Sequence, residues 1–473
     1  MGHLNQQSKT QNDFSKGSVI KNVLSLALPM TMAQLINVLY NIVDRVYIGR
    51  IPENATLALT GLGICLPVLS IVTAFANLFG TGGAPLCSIE RGRGNTEEAE
   101  AIMGNSFVLM MITGVVLTVL GLAFRRPLLY LFGASDSTYP FAEQYVTIYL
   151  LGNVFVMMGL GMNSFINAQG FGKTGMLTVL LGAVTNIVLD PIFIFVFGMG
   201  VQGAALATIL SQFLSAAWIL RFLTGPKTIL KLKRSCFRLS AERVKKITAL
   251  GLSGFTMSLT NSTVQIMCNA TLQHYGGDLY VGVMTIVNSV REVISMPVTG
   301  VTHGAQPIMG YNYGAKEYKR VWQALTFMSA VSIVYTTVMW LFVHSFPEWF
   351  IRIFNQDPEI LAAGVPAMQV YYFGFCFMSL QFAGQSVFVA LGRSRSAVFF
   401  SIFRKVIIVM PLTAILPALF GLGTTGVFMA EPISNFIGGA ACYGAMLFTV
   451  GLRMKKGLPI EEKVPGARRK IRG

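Results

Sequence analysis

Apolar residues fall in twelve long runs, at about 21–48, 56–85, 102–124, 142–166, 175–197, 202–223, 246–272, 279–310, 321–344, 362–390, 396–420 and 424–450, each bounded by Gly, Pro or charge. A helix crosses the hydrocarbon core of a bilayer with about 20 apolar residues, and every run reaches that length. A membrane-spanning strand would need only about 10 alternating residues. Helices also satisfy their own backbone groups where no water is present. The pattern predicts an all-α polytopic membrane protein with twelve transmembrane helices.

The runs repeat as a set. FGMGVQG (197–203) recurs as FGLGTTG (420–426), 223 residues on, and each leads into an apolar helix in which Ser211-Gln212-Phe213 matches Ser434-Asn435-Phe436. GGA at 82–84 pairs with HGA at 303–305. The chain therefore divides into two six-helix halves of the same topology, 21–223 and 246–450. A basic stretch, 224–245, joins them, and polar or basic tails (1–20 and 451–473) flank them. Six helices per half make the repeat parallel, with its axis along the membrane normal, and transporters of this build hold substrate between their repeats. Both copies of the turn spell G-x-G-x-x-G (Gly198, Gly200, Gly203; Gly421, Gly423, Gly426). A dinucleotide fingerprint also needs a preceding strand and a βαβ unit. A tight turn between apolar helices supplies neither. Gly172-Lys173-Thr174 lacks the first glycine of a phosphate-binding loop, because Asn167 stands there.

Composition agrees. Hydrophobic residues make up 53% of the 473 and charged residues 12%, against about 25% charged in soluble domains. A soluble or disordered chain is excluded. The net charge of +16 would point to nucleic acid in a soluble protein, but here it lies in loops and tails. With the N-terminus inside, 28 of the 36 Lys and Arg fall on the inner side, and the outer loops hold only Arg50, Arg125, Arg126 and Arg352. The positive-inside rule then places both termini in the cytoplasm, in the cell (inner) membrane, with no nucleic-acid partner. The first 17 residues are polar and contain no signal-peptide core, so they read as a cytoplasmic tail. The six cysteines show neither metal-ligand spacing nor a disulfide framework. The four histidines lie at span ends or in the tail. No nucleophile–base set is legible, so an enzyme is not expected.

Charges inside the spans are few, as their cost of roughly 3 kcal/mol at mid-bilayer requires. In the first half, Gln34, Asn37, Asn41 and Asp44 share one face of the first helix, at spacings of about one turn. Asn186 and Asp190 lie one turn apart on the fifth, and Thr208, Gln212 and Ser215 form a stripe on the sixth. Counting from the helix ends puts Asp44, Asp190 and Thr208 at a similar depth, so these stripes are expected to face one cavity. Two neighbouring carboxylates in a low-dielectric setting suit a proton carrier; the same oxygens suit a hard cation such as Na⁺, with Asp44 and Asp190 as its ligands. The plainer alternative is that these groups only join helices. In the second half, Asn261, Gln265 and Asn269 stripe the seventh helix, and Asn288, Glu292, Ser295 and Thr299 the eighth, with Met296 one turn from Glu292. Glu292 falls near the midplane, where it would attract a cation, unless it is neutralised by Arg291 or Lys405. Pro29 interrupts the first helix below its polar stripe, as a hinge or as a simple kink.

The chain resembles the MATE (multidrug and toxic compound extrusion) family over nearly its whole length, and its MepA-like branch most of all. The resemblance rests on Pro29 through DRVYIG (44–49), NIVLDPIFIF (186–195), FGMGVQGAALAT (197–208) and HGAQPIMGYNYGAKEYKR (303–320). It implies a V-shaped pair of six-helix lobes, acting as a monomer without cofactor, and H⁺- or Na⁺-coupled export of bulky, often cationic aromatic compounds. It also implies a cation site at Asp44, Asn186, Asp190 and Thr208, with the carbonyl of Ala204. Substrate contacts are implied at Glu292 and Met296, and the neighbouring polar stripes add Asn288, Gln265, Asn37 and Asn41. The two second-half acids of another branch correspond to Asn261 and Phe382, which favours coupling in the first half. A lipid-linked saccharide flippase of the same superfamily is the alternative; Arg291, Arg404 and Lys405 are the only mid-span residues that could meet a pyrophosphate.

Overall fold

The computed structural model describes residues 13–51 and 55–460, the side chains at 55, 56 and 420 excepted. Residues 1–12 and 461–473 of the two expected tails lie outside the described residues. Helix α1 is Val19–Ile48, α2 Ala55–Gly92 and α3 Thr96–Ala123. Two segments, Tyr139–Leu151 and Asn153–Ala168, meet at 58° and form α4. The fifth helix, α5, is Gly172–Pro191 with a wider π-helical turn at Ile192–Val196, and α6 is Gly200–Thr224.

Ala241–Gly314 is continuous apart from Gly277. A straight helix of its 74 residues would be about 110 Å long, several times a bilayer. Gly277, at φ 66° and ψ −163°, breaks it into α7 (241–276) and α8 (278–314). Glycine takes such a φ without the steric cost that a side chain brings. The ninth helix, α9, is Tyr318–Ser345. Pro358–Tyr371 and Cys376–Ala390, bent by 50°, form α10. Ser394–Ile415 with its internal π turn is α11, and α12 is Gly423–Met446, prolonged to Lys455. The described residues thus make twelve apolar crossings. Several overrun the apolar runs in the sequence. Helix α2 continues past residue 85 to Gly92, through Glu90 and Arg91, and α3 begins at Thr96, capped by Asn95 accepting from the Glu98 N–H at 3.2 Å. Backbone hydrogen bonding continues where apolar matching to the bilayer has ended.

The two repeated turns have matching backbones. Gly198 and Gly421 have φ of 65° and 71°, Gly200 and Gly423 53° and 50°. The third glycine of each motif sets how closely its helix pair packs. A Cβ on Gly203 would lie 2.7 Å from the Phe193 carbonyl carbon, and one on Gly426 2.6 Å from the Pro417 nitrogen. A function in backbone packing thus accounts for the G-x-G-x-x-G spelling.

Each half has its own core. One apolar cluster runs from Ile48 to Ile247, and two more lie in the second half. The start of α1 departs from the expected boundary: Val19, Val23, Leu26 and Ala27 pack with Ala305, Ile308 and Met309 of the second half. Pro29 lies just beyond, where α1 passes to the first half. The lobes meet where α7 packs on α2 and α8 packs on both α1 and α2. A Cβ on Gly251 would sit 1.7 Å from the Leu78 carbonyl oxygen, and one on Gly304 2.6 Å from the Ala27 nitrogen. Among the described residues, every such close glycine approach between the lobes lies in the half of the molecule nearer the chain termini. The lobes diverge from there as a V.

The joining stretch is not a free linker. The Gln169 side-chain oxygen accepts from Thr228 Oγ1 at 2.8 Å and from the N–H groups of Ile229 and Leu230 at 2.9 and 2.8 Å. Lys233 pairs with Glu100 at 2.6 Å, and Arg243 with Glu98 at 2.7 Å. Leu230 and Leu232 enter the first-half core.

Candidate functional site

Helices α1, α5 and α6 bring four buried polar side chains together. Asp190 is 0%, Asn186 1%, Thr208 7% and Asp44 8% exposed. The turn at 197–203 fixes α6 against α5, which faces Thr208 toward Asn186. Asn186 Nδ2 donates to Asp190 Oδ1 at 3.3 Å and to Thr208 Oγ1 at 3.4 Å. The carboxyl groups of Asp44 and Asp190 are in hydrogen-bond contact. Tyr145 of α4 lies beside Thr208, and Tyr40 lies one turn before Asp44 within electrostatic reach of both acids. Ala204 is buried in α6, one turn before Thr208. Neither tyrosine was singled out by the sequence pattern, although Tyr40 shares the Asp44 face at i−4, which is the signal that could have found it.

Three oxygens in this cluster, Asp44 Oδ1, Asp190 Oδ2 and Asn186 Oδ1, are buried without a hydrogen-bond partner. Native structures rarely leave such atoms unpaired. Two touching carboxylates likewise cannot both carry a bare negative charge in a dry site. A shared proton relieves both conditions, and so does a small cation held by carboxylate, amide and hydroxyl oxygens. Among the described residues no group of three or more His, Cys, Asp or Glu is placed to hold a metal.

Tyr40 links this cluster to a cavity of about 200 Å³ between the lobes, which it lines. The cavity wall is about half polar, with Gln34, Asn37 and Tyr40 of α1, Asn77 and Thr81 of α2, Asn163 and Asn167 of α4, Ser211 and Gln212 of α6, and Thr299 and His303 of α8 among apolar Met30, Leu160 and Val179. Asn37 thus faces the cavity, whereas Asn41 is exposed and bonds back to the Asn37 carbonyl at 2.8 Å. Glu292 is exposed on α8 and Met296 is buried. Glu292 shares a helix face with Thr299 and His303, at i+7 and i+11, so it looks into the cleft beyond the cavity.

The remaining second-half candidates are elsewhere. Gln265 and Asn288 line a separate pocket inside the C-lobe with Arg291, Tyr371, Lys405 and Glu431. The pairing expected as an alternative for Glu292 is not formed. Arg291, Arg404 and Lys405 pair with Glu431 instead, at 3.2, 3.2 and 3.4 Å. Arg404 and Lys405 reach it because α12 packs directly against α11.

The fold and these paired halves define a multi-pass membrane transporter architecture. One family model, MatE, matches residues 29–192 and again 254–415, once in each half. The chain belongs to the MatE family. It is 24% identical to the multidrug export protein MepA of Staphylococcus aureus, over 96% of this chain and 98% of that protein. Among solved structures, a MATE in complex with MaD3S superposes with a TM-score of 0.87 at 23% identity, covering 94% of this chain and 98% of the other. The outward-facing form of a multidrug resistance MATE transporter of the MOP superfamily gives the same TM-score, identity and coverage.

Proposed function

We propose that the protein is a secondary antiporter that exports bulky cationic and aromatic compounds across the cell (inner) membrane in exchange for H⁺ or Na⁺. The single observation that carries this reading is the set of unpartnered oxygens on Asp44, Asp190 and Asn186, buried in a cluster whose neighbour Tyr40 lines the cavity between the lobes. Relatives named as multidrug export proteins support the cargo class. The charge bias of the loops supports cytoplasmic termini; the V then opens outward, and the lobes are closed on the cytoplasmic side. One chain contains both lobes, so a monomer suffices, and the transport cycle needs no cofactor and no chemical step on the cargo.

A proton or Na⁺ entering the site neutralises the contact between Asp44 and Asp190. That lets α1 draw against α5 and α6, with Pro29 as the point where α1 leaves the C-lobe. A ligand shifts such an equilibrium only through its differential affinity for the two states, and the acid pair supplies that difference. Glu292 in the cleft and the polar wall around Asn37 meet the cationic cargo. A lipid-linked saccharide flippase would need a basic path along the cleft; Arg291, Arg404 and Lys405 are instead gathered on Glu431 inside the C-lobe. The test is ethidium efflux from proteoliposomes with a pH gradient and a Na⁺ gradient imposed separately. Efflux on the pH gradient alone makes the acid pair a proton site, and a strict Na⁺ requirement makes it a metal-ion site. No efflux under either gradient overturns the drug-antiporter reading.

A further inference from the structure

We propose that the pocket inside the C-lobe is a receptor for the anionic group of an organic acid. Its floor is a buried cluster with an uneven charge count. Glu431 Oε1 accepts from Arg291 and Arg404, both at 3.2 Å, and Lys405 lies 3.4 Å from Oε2. Arg404 also donates to Asn435, and Arg291 to the Tyr371 hydroxyl at 2.9 Å. The side chains of Arg404, Lys405 and Glu431 are 8%, 4% and 7% exposed. A guanidinium keeps its proton in proteins. The two arginines alone therefore outnumber the one carboxylate, whatever the state of Lys405. Uncompensated charge at membrane depth is costly and marks a functional site. Glu292, the neighbour of Arg291 in sequence, is turned to the cleft and does not restore the balance.

The cluster opens on a space of about 100 Å³, several times what one water needs and enough for a small anionic head group. Asn261, Gln265 and Asn288 line it. Among the described residues, none of their side chains forms a hydrogen bond, so their NH₂ groups are available as donors. Val264 and Val409 provide an apolar wall. Arg291, 27% exposed, is the cation a ligand can reach. Donors and surplus positive charge beside hydrocarbon suit an amphiphile bearing a carboxylate, sulfonate or phosphate. Charge-assisted contacts of this kind are the stronger hydrogen bonds. The cargo of this transporter would then extend from cations to zwitterions and organic anions.

The test is calorimetric titration of the full-length protein in neutral detergent with 2-naphthoate and with its uncharged amide. No gradient is needed, and Asp44→Asn should bind naphthoate as the unaltered protein does, so failure here is distinguishable from failure of the coupling site. Naphthoate is expected to bind at least tenfold more tightly than the amide. Arg291→Gln should remove that preference while leaving amide affinity unchanged. Equal affinities in the unaltered protein, or a preference that survives in Arg291→Gln, would overturn the proposal. Displacement of naphthoate by benzoate but not by benzyltrimethylammonium gives a check that needs no variant; displacement by both would overturn it too. Repeating the titration in phosphatidylcholine and phosphatidylglycerol nanodiscs separates the sources of the anion. Equal affinity in both supports a soluble organic acid, and loss of binding in phosphatidylglycerol assigns the pocket to a lipid headgroup and overturns the exported solute.

Discussion

Asp44 and Asp190 touch, and each keeps one oxygen without a partner. Converting either acid to its amide removes the charge that a proton or Na⁺ would neutralise while keeping size and shape. Asp44→Asn and Asp190→Asn should each lower ion-driven ethidium efflux by about 100-fold, the scale of lost affinity or activity when a ligand set is disturbed, at unchanged expression in the membrane. Retained efflux in both variants would refute the site. Glu431 invites the opposite kind of experiment. Glu431→Gln leaves the buried Arg404 and Lys405, and the part-exposed Arg291, without their carboxylate, a change that costs on the order of 3 kcal/mol. The expected result is a lower Tm in detergent. The residues of the first-half cluster were legible in the sequence because helical spacing put Asn37, Asn41 and Asp44 on one face, and depth counting aligned three helices. Tyr40 and Tyr145 were not, since tyrosine in an apolar helix is ordinary packing unless its neighbours are known. The partner of Arg291 and Lys405 was illegible for a different reason. Sequence distance favours Glu292, one residue away, but adjacent helical positions point in different directions, and α12 brings Glu431 instead.

Helices were readable because bilayer thickness fixes their length. Their interruptions were less so. The bend at Gly152 is marked only by the lone Asn153 in an apolar run, and the bend between Tyr371 and Cys376 only by Gly374 at φ 65°. The reversal at Gly277 sits in a Gly-Gly-Asp sequence that did separate two runs. At this scale two changes are informative. Gly251→Ala places a methyl group against the Leu78 carbonyl, where overpacking costs about 1–3 kcal/mol. It should lower the Tm and push the lobes apart at their terminal ends. Pro29→Ala restores a backbone donor to α1 between its C-lobe anchor, at Val23 and Leu26, and its first-half face, at Tyr40 and Asp44. If this proline is the hinge, efflux falls at least several-fold while binding of the coupling ion, followed by calorimetry, is unchanged. A loss of ion binding in the same variant would instead make it a positioning residue for the acids.

The molecule as a whole is held closed at the end that bears its termini, and a short segment before α1 spans both lobes there. Phe14 and Tyr311 of the C-lobe side flank the Arg91 guanidinium of α2 at 5.3 and 5.0 Å. Arg320 donates to the carbonyls of Phe14, Lys16 and Gly17 at 2.9, 3.1 and 3.0 Å, and Asn312 donates to that of Phe14 at 3.1 Å. Tyr311 also donates to Asp13 at 3.1 Å. Partial burial works against charge on Asp13, but hydrogen bonds from Ser15, Lys16 and Tyr311 outweigh it and hold the carboxyl below its ordinary value of 3.8. Because that value is depressed, its contribution is complete above the ordinary value and is lost as pH falls through the depressed one. Closure at this end should therefore be insensitive to pH between 5 and 8 as far as Asp13 is concerned, and any pH dependence of lobe motion in that window must arise at other groups. Arg91 links the lobes more directly. Cation–π contacts of this kind contribute about 1–2 kcal/mol in total, equivalent to a factor of about 5–30 in a two-state balance. Arg91→Ala should thus shift the population toward forms parted at the terminal end. Spin labels at positions 173 and 395, exposed on opposite lobes at that end, would report a longer distance component growing by that factor. An unchanged distance distribution would show that the glycine contacts of α2 and α7, rather than the segment before α1, keep this end closed.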